Sequence, residues 1–210
     1  MSSLPKSRSR RRSQPFRRLA LLLASAGADA AAVSRAGMAL GILGGGAFMA
    51  TGEFEDAKWL WSAAVLLCLG RLLTIQVAAV LQPRSLPETR EEAFYNELPE
   101  RVSDAITLIG FGFAAGSNAW LGLAAALSAI FSAYIRSFAF SDKQSERSPG
   151  IVLMDRRQRL VVLAAAALPA LAGEADSLPF PPAEAALWIV VSGCLLTVAL
   201  RWIGLRAIKL

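Results

Sequence analysis

The sequence predicts an all-α integral membrane protein, in which six transmembrane helices follow a short amphipathic helix at the membrane interface. The first observation is the composition: 55% of the 210 residues are hydrophobic, only 18% are charged, and the mean hydropathy is +0.47. A soluble domain of this length is usually less apolar and more charged. The second observation is that the apolar residues form long blocks. These blocks favour lipid, rather than nucleic acid, as the partner of the net charge of +6.

The chain divides into a tail and one domain. Residues 1–18 are basic and polar, so we expect a disordered tail that lies near an anionic surface. Residues 19–210 are predicted to form a single transmembrane domain. Its first apolar run, residues 19–28, is too short to span a bilayer, which takes about 20 residues. The run fits either an interfacial helix with Arg17 and Arg18 at headgroup level or a signal peptide.

Six longer apolar blocks follow, and the first contains Gly37, Gly41 and Gly45 at every fourth position. This small-residue stripe predicts that a neighbouring helix approaches closely. The fifth block contains Pro169, and a short polar stretch at residues 117–118 predicts a tight hairpin between the third and fourth blocks. Five spans are the alternative count. The six blocks cover approximately residues 32–50, 59–81, 105–120, 121–140, 160–173 and 185–205.

The basic residues predict the orientation of the spans. With six spans, both termini and the loops 82–103 and 141–159 lie on one side, and these segments carry most of the arginines and lysines. The opposite loops hold Lys58 among several acidic residues. We therefore expect both termini in the cytoplasm and the protein in the cytoplasmic (inner) membrane.

Three arginines lie within or at the edge of apolar blocks: Arg71, Arg136 and Arg201. Arg71 is more than one helical turn from either end of its block, so its guanidinium must pair with an anion or with carbonyl groups. A phosphate suits the planar donor fork of arginine. Arg136 either binds a phosphate or extends its charge to the interface, and the second behaviour is favoured for Arg201.

The residue types exclude two common kinds of active site. The chain has no histidine, so His-based zinc sites and Ser-His-Asp triads are excluded. Cys68 and Cys194 both lie inside apolar blocks, where a role as small packing residues is favoured over a disulfide or a metal pair.

Candidate site residues concentrate between residues 71 and 112, where the second block ends and the third begins. Asn96, Glu100 and Asp104 are four positions apart and share one face of a helix, beside Glu97. An acidic face at the membrane entry needs a cation, a basic partner or water. These four residues are the candidate metal ligands. Alternatively, the acidic residues and Arg101 form a solvated, salt-bridged helix start.

The order of these features resembles the CDP-alcohol phosphotransferases (phosphatidyltransferases), from about Phe16 to the end of the chain. Those enzymes move a substituted phosphate group from a CDP-alcohol to a second alcohol and release CMP. Their motif, Asp-x2-Asp-Gly-x2-Ala-Arg-x8-Gly-x3-Asp-x3-Asp, holds divalent metal through four aspartates. The resemblance implies phospholipid metabolism, with membrane lipids and a CDP-alcohol as partners and Mg²⁺ or Mn²⁺ as the cofactor of an active member. Whether the protein forms a homodimer is left open.

Placed on that motif without gaps, the chain departs from it at most positions. Ile75, Ala78, Asn96 and Glu100 take the places of the four aspartates, and Ala79 replaces the glycine. Only Glu100 keeps the charge, so the resemblance makes Glu100 the candidate catalytic residue. Two hard cations need several oxygen ligands, mostly carboxylates, and the second block no longer supplies them.

The resemblance also implies a set of phosphate-binding residues. Ser34 matches the last position of a family motif, Pro-Asn-x2-Ser/Thr, that precedes the first span. Together with Arg71, Arg101 and Arg136 it forms the candidate substrate-binding set.

Two substitutes for the lost metal ligands stay open. The first is a one-metal site formed by Glu97, Glu100 and Asp104. The second is a supply of neutral oxygen ligands from Gln76 and Gln82. We expect a divergent family member in which transfer is weak or lost, and a chain without the reaction needs no metal. The alternative is a non-catalytic protein of the same fold that binds lipid headgroups or stabilises a partner enzyme through its glycine stripe. A transporter is disfavoured, because no matching pair of broken helices is present.

Overall fold

In the computed structural model, the described residues are 14–54, 58–81, 90–140 and 153–207, with side chains described over 16–54, 58–81, 97–135 and 153–203 apart from residue 176. All regular structure within these ranges is helical, which confirms the predicted all-α class. The helices are α1 (Gln14–Ser25), α2 (Ala30–Glu53), α3 (Lys58–Leu81), α4 (Arg90–Gly112), α5 (Ala119–Phe140), α6 (Arg156–Ala166), α7 (Leu168–Ala172) and α8 (Pro182–Ala207), with a 3₁₀ turn at Ala175–Ser177 before α8.

Three of the helices are long and apolar enough to cross a membrane, namely α2, α3 and the part of α8 from Pro182 to Ile203. This composition is that of a membrane protein. Three is fewer than the six spans predicted, for physical reasons visible in the other helices. The first half of α4 is charged, and the described apolar part of α5 is short (Ala119–Ile135). Helix α6 contains only 11 residues before it ends.

The break between α6 and α7 lies at Ala167, two residues before Pro169. Proline lacks a backbone N–H and its ring clashes with the preceding turn, so a helix rarely continues through it unchanged. By contrast, α4 begins at Arg90 and continues through Pro99, which lies inside the helix. The predicted face at residues 96, 100 and 104 therefore lies within one helix.

The core is packed around an edge-to-face aromatic group. The ring of Phe48 on α2 lies 4.8 Å from that of Phe111 on α4 and 5.8 Å from that of Trp61 on α3. Cys68 and Cys194 are free thiols buried in the same core, in the packing role favoured from the sequence.

The glycine stripe of α2 is buried against α3 and α4 of the same chain. A Cβ added to Gly45 would lie 2.7 Å from the carbonyl oxygen of Ile106, and one added to Gly37 would lie 2.2 Å from Thr74 Oγ1. The predicted close approach is therefore present. Helices of the chain itself occupy this surface of the stripe, and the stabilisation of a partner enzyme stays a prediction.

Helix α1 begins at Gln14, so residues 14–18 are helical, whereas the sequence analysis placed them in a disordered tail; residues 1–13 lie outside the described ranges. The helix is amphipathic and packs on α3. Ala20 is buried in a small apolar cluster with Val33 and Val77, while Arg17, Arg18, Leu21 and Leu22 are exposed. This exposure pattern matches the predicted interfacial helix.

The predicted hairpin between the third and fourth blocks is present between α4 and α5. The side chain of Asn118 accepts hydrogen bonds from the backbone N–H groups of Trp120 and Leu121, which begins α5. The backbones of Gly112 and Gly122 then approach so closely that a Cβ on either would lie 2.6 Å from the Cα of the other.

Candidate functional site

Helix α4 carries the central residues of the site, and polar bonds to α2 fix its position. Ser103 Oγ donates to the carbonyl of Met38 at 3.0 Å, and Thr107 Oγ1 donates to the carbonyl of Gly41 at 2.9 Å. These short contacts are possible because α2 presents glycines at this surface. Glu100 and Asp104 therefore have fixed positions relative to α2, one helical turn apart.

Asp104 lies among three guanidinium groups. Its Oδ2 atom accepts hydrogen bonds from Arg156 Nε at 2.6 Å and from Arg159 Nη2 at 3.4 Å, and its Oδ1 atom lies 3.6 Å from Arg71 Nη2. Asp104, Arg71 and Arg159 are all buried. Burial of charge is costly unless opposite charges compensate it, and these arginines, on α3 and α6, provide that compensation.

Glu100 is held by two partners. Ser34 Oγ donates to its Oε1 atom at 2.5 Å, and Arg156 Nη1 donates to its Oε2 atom. Burial alone would raise the pKa of Glu100, but the charge of Arg156 and the hydrogen bonds from Arg156 and Ser34 hold this pKa below its ordinary value. Burial likewise opposes the charge of Arg156, yet Asp104 and Glu100 raise its pKa. Glu100 and Arg156 are therefore both ionised at neutral pH.

We call Arg71, Glu100, Asp104, Arg156 and Arg159 the arginine–carboxylate cluster. It contains three cations and two anions, so its formal net charge is one positive unit. Arg71 is 1% exposed, and its Nε and Nη2 atoms make no hydrogen bond with the described residues. The absence of a side chain at position 37 of α2 makes room for this guanidinium, since a Cβ there would lie 2.8 Å from Arg71 Nη1.

The predicted metal ligands are brought together only in part. Glu100 and Asp104 are adjacent, whereas the carboxylate of Glu97 pairs with Arg101 on the exposed side of the helix. That pair is the salt-bridged arrangement that the alternative interpretation predicted. Among the described residues, no group of three acidic or cysteine side chains is placed to hold a metal ion. The side chains of Asn96 and Gln82 lie outside the described set.

The predicted phosphate-binding set is likewise divided. Ser34 donates to Glu100, and the carboxylate of Asp104 is a buried anion beside Arg71. Arg101 lines a pocket described below. Arg136 lies outside the residues whose side chains are described.

Two residues of the cluster, Arg156 and Arg159, were missed as site residues and were counted only as evidence of orientation. A signal was present in the sequence. Asp155 forms a capping box with Gln158 at the start of α6, and arginines three positions apart just after a helix start share one face. The partners of these arginines are more than 50 positions away, on α4, and no local pattern could show them.

A pocket lies beside the cluster, between α4, α5, α6 and α8. We call it the arginine pocket. Its polar lining consists of Arg101, Asp104, Ser132, Asp155, Arg156, Arg159 and Arg201. The side chain of Arg201 is oriented across the pocket, since its Nη1 atom donates to the carbonyl of Ser132 at 3.2 Å.

The fold and the site together define the class of this protein only broadly, as an all-helical membrane protein with a buried arginine–carboxylate cluster. No protein-family model matches the chain, and no curated protein matches it.

Proposed function

We propose that this chain is a divergent membrane protein of the CDP-alcohol phosphotransferase type, belonging to phospholipid metabolism, that no longer transfers the substituted phosphate group. The observation that carries the proposal is the position of Arg156. Its guanidinium donates both to Glu100 and to Asp104, the two carboxylates nearest to where the family motif places its metal ligands. A guanidinium therefore takes the place of the cation that an acidic helix face at the membrane entry requires.

Electrostatics supports the loss of metal-dependent transfer. A divalent cation at Glu100 and Asp104 would enter a cluster that already has one net positive charge. Two unit charges 4 Å apart interact by about 4 kcal/mol at an effective dielectric constant of 20, so each arginine that remains opposes the metal strongly. The family reaction uses metal to stabilise charge on the transferring phosphate and to hold the leaving CMP.

Helix α3 adds to this argument, because it supplies no anionic ligand at the matching positions. Ile75 packs against the main core, and Ala78 packs against the small apolar cluster formed with α1. One half of a two-metal cage is therefore replaced by apolar contacts, which leave no oxygen atoms for a hard cation.

The membrane arrangement that we propose has six spans, with both termini and the cluster on the cytoplasmic side of the inner membrane. The spans lie within α2, α3, the part of α4 after Asp104, α5, the part of the broken pair α6–α7 after Arg159, and α8. The positions of the helix ends support alternating directions for these spans. One end of the bundle holds Ser34 near the start of α2, Arg156 at the start of α6 and Arg201 near the end of α8. Trp61, Ala115 and Ala183 line a cavity at the other end.

The test is a CMP-release assay on the purified full-length chain with CDP-diacylglycerol, candidate alcohols, and Mg²⁺ or Mn²⁺. We expect CMP release at the level of a no-protein control, while an active family enzyme under the same conditions serves as the positive control. Metal-dependent release that Glu100→Ala abolishes would overturn the proposal.

A second candidate function is the binding of lipid headgroups without catalysis, by the same fold. The arginine pocket favours it, because its charged lining is open to a small anionic group. The two functions are compatible, since a chain that has lost the reaction can still bind an anion.

A further inference from the structure

We propose that the arginine pocket binds the phosphate group of an anionic membrane lipid. The inference rests on the membrane placement proposed above, but it does not depend on whether the transfer reaction is lost. It concerns residues on α4, α5, α6 and α8, most of which lie outside the phosphate-binding set that the sequence predicts.

The charge of the pocket selects an anion. Four guanidinium groups and two carboxylates contribute to the lining, so the formal charge of the wall is two positive units. The carboxylate of Asp104 already accepts from two of these arginines, Arg156 and Arg159. A phosphate would meet arginine donors whose positions are fixed before it binds, which lowers the entropy lost on binding.

The size of the pocket limits the ligand to one small group. Its volume is about 30 Å³. One water molecule needs roughly 10–15 Å³ on the same scale. A nucleotide diphosphate cannot be enclosed in such a volume, whereas a single phosphate can contact the arginines from the open side of the pocket. The rest of the ligand must remain outside the pocket.

The apolar wall indicates where that remainder lies. Ala129, Ile130 and Ala133 of α5 line the pocket together with the arginines. Ile130 is 44% exposed, so the same residue faces both the pocket and the surroundings of the bundle. In a membrane those surroundings are lipid. The pocket therefore opens toward the bilayer as well as toward water.

The depth of the pocket is that of lipid phosphates. Arg201 precedes the exposed Trp202 on α8, and the exposed Tyr134 follows the pocket residues of α5. Tryptophan and tyrosine are enriched at the level of the lipid headgroups. The combination of arginines, an apolar side wall and aromatic residues at one depth fits the phosphate diester of an anionic lipid better than a freely soluble ion.

The experiment uses the purified full-length chain in a neutral detergent, with three probes. These are short-chain phosphatidylglycerol, phosphatidylcholine with the same acyl chains, and inorganic phosphate. Binding is measured by native mass spectrometry and by the shift in melting temperature. The test variant is Arg201→Gln, and the matched control is Arg157→Gln, which removes the same charge from an exposed residue outside the pocket lining.

We expect phosphatidylglycerol to bind and stabilise the chain more strongly than phosphatidylcholine, and inorganic phosphate to have little effect. Arg201→Gln should weaken phosphatidylglycerol binding about tenfold, because a hydrogen bond to a charged group is lost, while Arg157→Gln should leave it unchanged. If Arg201→Gln fails to fold, Ala133→Leu tests the same site by filling its apolar side, and it should weaken binding in the same way.

Three outcomes would overturn the inference. Equal stabilisation by both lipids, which share the phosphate diester, would show no preference for a net anionic headgroup. Loss of binding in Arg157→Gln alone would place the site elsewhere. Inorganic phosphate that binds as tightly as the lipid would assign the pocket to a soluble ligand. The CMP-release assay remains separate, because it can fail or succeed whatever lipid the pocket binds.

Discussion

Arg156 Nε donates to Asp104 Oδ2 at 2.6 Å, across 52 positions of sequence. The contact joins the start of α6 to the centre of α4, and Arg156 also donates to Glu100 one turn earlier. The acidic face of α4 therefore carries its own cation, provided by the chain. This contact offsets the negative charge of the acidic face.

The buried pair of Arg71 and Asp104 should contribute more to stability than an exposed charge does. Arg71→Ala leaves Asp104 with fewer cations, and removal of one member of a buried ion pair typically costs about 3–5 kcal/mol. Arg157→Ala, at an exposed position, should cost less than about 1 kcal/mol. The free energy of unfolding in mixed detergent micelles measures both changes, and equal tolerance of the two variants would contradict the pairing.

The glycines of α2 should differ sharply in their tolerance of a methyl group. At Gly45 a Cβ would meet the backbone of Ile106 at 2.7 Å, whereas at Gly46 no atom lies within 4 Å. Gly45→Ala should therefore destabilise the protein by about 1–3 kcal/mol. Gly46→Ala should be neutral or stabilising by roughly 1 kcal/mol, since alanine favours the helix more than glycine does. A melting temperature unchanged in Gly45→Ala would show that α2 and α4 are not in this close contact.

Glu100 should make the protein less stable as the pH falls into the acidic range. Its folded pKa is depressed, so its contribution is present above the unfolded pKa of about 4.3 and is lost as the pH falls through the lower, folded value. Melting temperatures measured between about pH 3 and pH 6 should fall on acidification. Glu100→Gln should flatten this dependence, and Glu97→Gln, in the more exposed pair with Arg101, should leave more of it intact. An unchanged slope in Glu100→Gln would contradict the assignment.

The helices were predictable from sequence because each apolar block has a local signature. Residues 59–81 became α3 (Lys58–Leu81) and residues 185–205 fall within α8 (Pro182–Ala207), with boundaries set by loss of apolar character. Pro169 marked the break after α6, and residues 117–118 marked the hairpin. Hydropathy could not show that the charged part of α4 is helical. Glu100 in this part is held by contacts with Ser34 and Arg156, which lie on other helices.

The residues of the candidate site on α3 and α4 were predictable from the sequence, whereas those on α6 were not. The four-residue spacing of Glu100 and Asp104 placed them correctly on a shared face, and the depth of Arg71 correctly required a buried anion. The sequence could not show that Asp104 is this anion, because no local pattern reveals which of several charges meet in space. Arg156 and Arg159 come from a distant helix, and only the packing of α6 on the bundle brings them to Asp104.

The final prediction concerns the conversion of the cluster back into a metal site. Ile75→Asp, Ala78→Asp, Ala79→Gly and Asn96→Asp together restore the family's ligand pattern, yet Arg156 would still neutralise Glu100 and Asp104. We therefore expect this quadruple variant to bind Mn²⁺ only weakly by electron paramagnetic resonance. Adding Arg156→Gln should tighten binding at least about tenfold, because one positive charge is removed beside the metal. Equal Mn²⁺ affinity with and without Arg156→Gln would show that this guanidinium does not occupy the place of a cation.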